Sequence, residues 1–244
     1  MTYFIYDGKI TINAQFQFVG DEVNHIFQSR RIRKGETIEV QDNGQERYVV
    51  VIDQIIRKKI LATAIRQLSI PPESKLKIQV FQAAVKEKAS DNIIQKLTEL
   101  GCWRLFIFQS EFSQKLHQGE QLQKKLNRWQ KISIEACKQC DRMHPLQIGV
   151  LDTFADVLEY IQQERSDLSN SFFLDTAETV TLNSKSLANQ SQVNLIIGSE
   201  GGWHLREKAL NVFKTLQLGP RILRADTAAI SATAIFQHLF GDLN

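Results

Sequence analysis

The sequence is poor in the residues that cross-link or rigidify small extracellular proteins. It has only three cysteines and four prolines among 244 residues. Three cysteines cannot all pair, and so small a number is typical of a reducing compartment rather than of a disulfide-rich secreted domain. The chain is nevertheless long enough to bury one large core or two modest ones without cross-links.

Long apolar runs are also missing. The longest are four or five residues, as at 105–108, whereas a helix needs about 20 to cross a bilayer. The first twenty residues alternate polar and apolar types, so the sequence predicts no signal peptide and no membrane segment. With 43% hydrophobic and 23% charged residues, the composition excludes disordered and fibrous classes. We expect a cytoplasmic globular protein.

The net charge of +3 is small, but it is unevenly distributed. Residues 1–70 hold 10 Lys and Arg against 8 Asp and Glu, and residues 71–150 hold 13 against 8. Residues 151–244 reverse the balance, with 7 against 11. A basic N-terminal part and an acidic C-terminal part indicate a surface that binds a polyanion, although charged helix faces exposed to solvent would give the same distribution.

Cys137 and Cys140 have the spacing of redox and zinc sites. A second pair with ligand spacing is missing, and at helical periodicity both thiols fall on or beside an apolar stripe that contains Trp129. We therefore expect packed thiols and no metal site, with metal binding and redox chemistry as the alternatives.

Residues 1–70 read as a small β barrel. Strands are predicted at 4–6, 10–12, 38–40 and 48–52, with a hairpin at Asn43-Gly44 and a short helix at 21–28. Pro71-Pro72 then interrupts the pattern, which predicts a domain boundary between residues 1–70 and 73–244.

Beyond the prolines, strands alternate with helices. Strands are predicted at 78–81, 105–108, 172–174 and 193–197, and helices at 90–100, 121–140, 204–216 and 227–239. Such alternation predicts a mainly parallel sheet covered on both faces, which binds ligands in the loops beyond the carboxyl ends of its strands.

Two glycine-containing segments lie where such loops are expected. Gly198, Gly201 and Gly202 directly follow the strand at 193–197, and they let the backbone turn sharply and approach a ligand. The spacing is neither that of a Walker loop nor that of a dinucleotide fingerprint, and a tight turn alone also explains it. The second segment, 218–229, follows another short strand candidate and combines Gly219 with two arginines. Asp226 or Thr227 is predicted to cap the helix after it.

These segments carry a family resemblance. IIGSEGGW (196–203) and LGPRILRADTAA (218–229), preceded by IIQKLTELG (93–101) and KKLNRWQKISIEACKQCDR (124–142), resemble the SPOUT superfamily of knotted methyltransferases. More narrowly, they resemble the bacterial 16S ribosomal RNA uracil-N3 methyltransferases of the E type. The similarity runs from about residue 20 to the C-terminus, and the last two motifs are the most specific.

The resemblance implies a fold and a cofactor. Residues 1–70 would form a PUA-like RNA-binding barrel, and residues 73–244 a SPOUT-type α/β domain with a C-terminal trefoil knot. The working unit would be a homodimer that binds S-adenosylmethionine, near the subunit interface, and acts on 16S ribosomal RNA within the small subunit. The implied cofactor-binding residues are Leu174, Gly198, Glu200, Gly201, Gly202, Leu218, Gly219, Ile222 and Leu223.

Methyl transfer from a sulfonium to uracil N3 is an in-line displacement that needs no metal and no covalent enzyme intermediate, but a proton must leave N3. Arg224 is the candidate to stabilise the developing anion or to hold a phosphate, and Asp226, where the family usually has Glu, is the candidate base or substrate orienter. The predicted RNA-binding residues form basic clusters: Arg30, Arg31, Arg33, Lys34, Lys86, Lys88 and Arg142.

Several positions depart from the family pattern. Ser199 replaces a proline, Phe112 stands where an arginine is frequent, and Ala89 occupies a usually cationic position. Two other functions therefore remain open: a knotted enzyme that methylates the ribose 2′-O, and a non-catalytic RNA-binding factor of ribosome assembly that keeps the fold.

Overall fold

The structure is a computed structural model that describes residues 3–30, 32–57, 59–164, 168–176 and 191–243. Its internal contacts divide the chain into two compact units. One comprises Met1–Pro72 and Lys138–Met143, and the other comprises Glu73–Cys137 and His144–Asn244. Among the described residues, no helix is both long and apolar enough to span a membrane.

The first unit is a barrel-like sheet with one described helix, α1 (Asp21–Arg30). Its described strands pair in the order β1-β3-β4-β5-β2, antiparallel except for the parallel pair β1 and β3. The strands are β1 (Phe4–Ile5), β2 (Gln15–Phe18), β3 (Thr37–Gln41), β4 (Arg47–Ile56) and β5 (Lys59–Leu68). Alternate side chains such as Val40, Val50 and Ile52 point inward and are buried. The predicted small barrel is confirmed.

Two local predictions in this unit are wrong. Residues 10–12 form no strand, because the Ile10 amide donates instead to the buried Asp42 carboxylate (3.1 Å). The same carboxylate accepts from the Glu46 amide (3.0 Å) and shapes the hairpin between β3 and β4. The hairpin forms as predicted, but Gln45, with φ of 63°, supplies its left-handed residue rather than Asn43 or Gly44.

The second unit contains a fully parallel sheet whose described strands run in the order β11-β9-β10-β6-β7-β8. The predicted α/β sheet is therefore confirmed. The strands are β6 (Lys77–Ala83), β7 (Arg104–Gln109), β8 (Gln147–Thr153), β9 (Ser171–Leu174), β10 (Gln192–Ile197) and β11 (Lys214–Leu216). The helices are α2 (Glu87–Glu99), α3 (Gly119–Cys140), α4 (Phe154–Gln163), α5 (Leu205–Leu210) and α6 (Ala225–Phe240), with a 3₁₀ turn at Leu168–Asn170.

The region before the last helix differs from the prediction. The helix expected at 204–216 is the short α5 followed by β11, because Asn211 folds back and accepts from the Phe213 amide (2.9 Å). That bond offers the backbone an alternative to the helix. The helix α6 has Arg224 at its N-cap position, so the predicted caps Asp226 and Thr227 lie inside the helix and the prediction is wrong. The strand β8 and the helix α4 were not predicted from the sequence.

One row of polar side chains crosses five adjacent strands of this sheet near their amino ends. Ser171, Asn194, Gln79, Arg104 and Gln147 are register partners on β9, β10, β6, β7 and β8. Hydrogen bonds of 2.9–3.3 Å join Asn194 to Ser171, Gln79 to Asn194, and Arg104 to Gln147. Glu164 then bridges Gln79 and Arg104. Since a slip of one residue would break every bond in the row, the row fixes the register of the strands.

Glu164 is the charged member of this network. Burial raises the pKa of Glu164, but hydrogen bonds from Tyr160, Gln79 and Arg104 outweigh that effect and hold its pKa below the usual value. The carboxylate therefore stays ionised beside the Arg104 guanidinium, with 2.6 Å between Nη1 and Oε1.

The two cysteines with C-x-x-C spacing differ in burial. Cys137 is buried and Cys140 is partly buried at the end of α3. The described residues contain no group of three or more His, Cys, Asp or Glu side chains that could hold a metal ion.

Candidate cofactor and RNA site

A cavity of about 320 Å³ lies at the carboxyl edge of the parallel sheet. Its floor is formed by Leu216, Leu174 and Ile197, the final residues of the adjacent strands β11, β9 and β10, which are partners in register. The loops after these strands form its walls. A volume in the range of about 300–1,000 Å³ is typical of small-molecule sites.

The structure brings most of the predicted cofactor residues together around this cavity. Seven of them line it: Leu174, Gly198, Glu200, Gly202, Leu218, Ile222 and Leu223. Gly201 and Gly219 belong to the same loops without forming part of the wall. Gly219, with φ of 97°, requires the left-handed conformation that glycine adopts without strain.

The loop after β10 turns tightly against the sheet. The Gly202 amide donates to the Ser199 carbonyl (3.0 Å), and Gly202 has φ of 73°. A Cβ added at Gly198 would lie 3.0 Å from the Trp203 ring, so glycine is needed for this close approach. Trp203 is itself fixed, because its indole N–H donates to the Leu174 carbonyl (2.9 Å) and its ring stacks on Phe173.

Gln82 holds the start of this loop, a role that sequence reasoning missed. Its fully buried amide donates from Nε2 to the Gly198 carbonyl and to the Ala83 carbonyl, each at 3.0 Å. Gln82 is the register partner of Ile197 on the neighbouring strand. In the sequence, Gln82 is recognisable only as a polar residue directly after the predicted apolar strand at 78–81. The order of the strands is needed to show that its amide reaches the loop after β10.

Two of the departures from the family pattern meet here. Ser199 Oγ donates to the Phe112 carbonyl (3.0 Å), so the loop after β7 is bonded to the glycine loop. A Cβ at Gly201 would lie 2.7 Å from the Phe112 Cβ and 3.0 Å from its carbonyl oxygen. The second glycine of the motif, Gly201, is therefore required for contact with a neighbouring loop.

The two predicted catalytic residues are neighbours at the start of α6. Arg224 lines the cavity with a side chain that is 76% exposed, whereas Asp226 is 17% exposed and lies outside the cavity lining. The distance from Arg224 Nε to Asp226 Oδ1 is 3.4 Å. An ion pair with so exposed a guanidinium contributes little to stability, and the catalytic roles of both residues stay predictions.

Asp175 lines the cavity and was not predicted from the sequence. It directly follows β9, and its amide donates to the Leu216 carbonyl (3.1 Å). Its carboxylate is mostly buried and lies 2.6 Å from the Lys208 ammonium on α5. With Glu200, it makes part of the wall acidic. Arg221 and Arg224 line the same cavity, so its wall carries charges of both signs, and the carboxylates can accept hydrogen bonds from hydroxyl groups of a ligand.

The predicted RNA-binding residues fall in both units. In the first unit, Arg33 and Lys34 are exposed, and Arg142 is partly buried, with its carbonyl accepting from the Tyr3 hydroxyl. In the second unit, Lys86 and Lys88 are exposed at the start of α2. The side chain of Arg30 and the whole of Arg31 lie outside the described residues. The RNA-binding roles stay predictions.

Family models match both parts of the chain. An RNA methyltransferase domain matches residues 72–237, and an RNA methyltransferase PUA domain matches residues 20–65. The first match covers more than half of the chain and includes every residue of the cavity floor. Fold, site and match together define an RNA methyltransferase with an N-terminal PUA domain.

Curated relatives narrow this class. The ribosomal RNA small subunit methyltransferase E of Mesomycoplasma hyopneumoniae is 31% identical over 212 residues, which cover 85% of this chain and 87% of that protein. The enzyme of the same name from Buchnera aphidicola is 29% identical over 235 residues, covering 93% and 90%. The chain belongs to the ribosomal RNA small subunit methyltransferase E family.

Solved structures agree in fold. A methyltransferase from Legionella pneumophila, solved with its bound cofactor S-adenosylmethionine, has 26% identity and a TM-score of 0.85, with 99% of both chains covered. The ribosomal RNA small subunit methyltransferase E of Neisseria gonorrhoeae has a TM-score of 0.86 at 23% identity over the whole of both chains. The SPOUT-type fold is confirmed. The trefoil knot stays a prediction, since residues 177–190 lie outside the described part of the chain.

Replacing Gln82 by leucine tests whether its hydrogen bonds hold the glycine loop. The substitution leaves the buried carbonyls of Gly198 and Ala83 without their donor, and we expect a loss of about 1–3 kcal/mol in the free energy of unfolding, measured with urea. Gln95→Leu, at an exposed position of α2, is the control and should change it by less than about 0.5 kcal/mol. Equal losses of unfolding free energy in the two variants would show that the hydrogen bonds of Gln82 do not stabilise the fold.

Proposed function

We propose that this protein transfers the methyl group of S-adenosylmethionine to N3 of a uracil in 16S ribosomal RNA of the small subunit. The observation that carries the proposal is the cavity where three parallel strands end together, lined by both glycine-containing loops of the family motif. Family membership supports the RNA substrate, and the cofactor bound to the Legionella relative supports the methyl donor.

The cavity residues fit S-adenosylmethionine. Leu174, Leu216 and Leu218 offer apolar surface for the adenine, and the glycine loop brings backbone groups close without intervening side chains. The carboxylates of Asp175 and Glu200 suit ribose hydroxyls and a cationic sulfonium. When bound, the cofactor supplies a methyl group attached to a sulfonium sulfur. An attacking atom takes this methyl group in an in-line displacement, in which the sulfur is the leaving group.

The remaining chemistry falls to the protein. Uracil N3 carries a proton, and methylation forms an N3–C bond as that proton leaves. Asp226 is positioned beside Arg224 and is the group that we assign to accept the proton. Arg224, on the cavity wall, stabilises the negative charge that spreads over the ring carbonyls of the deprotonated uracil.

Basic residues of the two units provide the RNA contacts in this proposal. Exposed Arg33 and Lys34 belong to the unit that contains the PUA match, and exposed Lys86 and Lys88 belong to the methyltransferase unit. Neutralising phosphates with such residues releases counterions, so binding should weaken as salt rises. Action on small subunits would take place in the cytoplasm.

A homodimer is part of the same proposal. Ile222 lines the cavity and is 85% exposed, and Leu205, two residues after Trp203, is 79% exposed. Exposed aliphatic side chains at a binding site favour burial against another protein surface. A second copy of this chain at that position would complete the site.

Mass spectrometry of ribosomal RNA tests the function directly. Deleting the gene should remove one 3-methyluridine from 16S RNA, and expression of the native gene should restore it. Loss of a 2′-O-methylated uridine instead would identify a ribose methyltransferase. An unchanged profile would refute methylation and favour the non-catalytic assembly factor.

Arg224→Ala tests the catalytic assignment. Because the guanidinium is exposed, the free energy of unfolding of the variant should lie within about 0.5 kcal/mol of the native value. Its rate of methyl transfer should nevertheless fall roughly 10²–10³-fold. Single-turnover assays on unmethylated small subunits measure that rate. Arg206→Ala, an exposed arginine on α5, is the matched control, and a similar small effect in both variants would refute the role of Arg224.

A further inference from the structure

Phe112 is an exposed aromatic ring on a loop that is otherwise well fixed. Half of the residue is exposed to solvent. The Ser110 amide donates to Ser113 Oγ (3.0 Å), the Leu116 amide donates to Gln109 Oε1 (2.8 Å), and the Gln114 amide donates to the Ala84 carbonyl (3.0 Å). The loop therefore holds an apolar ring in water, where it loses the free energy that burial would provide.

The ring is also tied to the cofactor site. The Phe112 carbonyl accepts from Ser199, a wall residue of the cavity, and its Cβ packs against Gly201. Its ring meets the His204 ring edge to face, with centroids 5.5 Å apart. These contacts fix the position of Phe112 relative to the glycine loop, while half of its surface stays open.

Exposed cations lie on the same and the adjoining loop. Lys115 is three residues after Phe112. Lys86 ends the loop that follows β6, which Gln114 bonds through Ala84, and Lys88 lies in the first turn of α2. The acidic residue between these lysines, Glu87, is already engaged by Arg128 on α3. The carboxyl edge of β6 and β7 thus combines an open aromatic ring with three exposed lysines, beside an exposed acidic residue, Glu111.

We infer that Phe112 stacks on an unpaired base of the substrate RNA beside the cofactor cavity, with Lys86, Lys88 and Lys115 on the flanking phosphates. The inference rests on the proposed function and adds the surface that receives the RNA. Proteins bind single-stranded RNA by stacking bases on aromatic rings within a cationic groove, and every base has a face that can stack.

Phe112→Leu separates stacking from packing. Leucine keeps the Cβ that contacts Gly201 and the backbone carbonyl that binds Ser199, and it removes only the aromatic face. Phe112→Trp keeps that face. Val212→Ala, at a 59% exposed position just before β11 and so at the opposite edge of the sheet, is the matched control.

Binding to unmethylated small subunits, purified from the deletion strain, is measured at one salt concentration. Phe112→Leu should weaken it about 5- to 100-fold, while Phe112→Trp and Val212→Ala stay within about twofold of the native protein. Calorimetry should give the same dissociation constant for S-adenosylmethionine in all four proteins. The melting temperature should also change little.

Native-like subunit binding by Phe112→Leu would overturn the inference while leaving the proposed function intact. Unchanged subunit binding together with a changed sedimentation coefficient of the free protein would overturn it as well, and would assign the ring to contact with a second copy. If the native protein binds neither S-adenosylmethionine nor small subunits, the proposed function fails first.

Discussion

The parallel hydrogen bonding of three short strands is the constraint on which the site depends. Leu216, Leu174 and Ile197 are register partners, and each is the last residue of its strand. The chain therefore leaves the sheet three times along one line, and three loops meet around one cavity. A shift of any one strand would move its loop away from the other two.

The polar row through the same sheet explains how this alignment is maintained. Three residues before the strand ends, Ser171 and Asn194 bond across β9 and β10, and Gln79 continues the row into β6. Three residues further on, Gln82 reaches from β6 to the carbonyl of Gly198. Apolar strands alone fix register weakly, because neighbouring aliphatic side chains are nearly interchangeable, whereas buried amides must find particular partners.

Local signals predicted much of this arrangement. Gly198, Gly202 and Gly219 mark turns through their own backbone requirements, so their loops could be placed from sequence. Asp175 and Gln82 could not be recognised, because their roles depend on which strands are neighbours, and the order β11-β9-β10-β6 does not follow chain order. The failure at 204–216 has a similar origin, since a single side-chain bond of Asn211 decides between a helix and the edge strand β11. Ser199 and Phe112 appeared as separate departures and proved to be bonded to each other.

The central claim is that the loops after β9, β10 and β11 form one cofactor pocket. A crystal structure of the protein with S-adenosylmethionine tests it most directly. We expect the adenosyl group above Leu174, Leu216 and Leu218, with the methyl group facing the side of the cavity where Arg224 lies. Cofactor bound at another edge of the sheet, with this cavity empty, would contradict it.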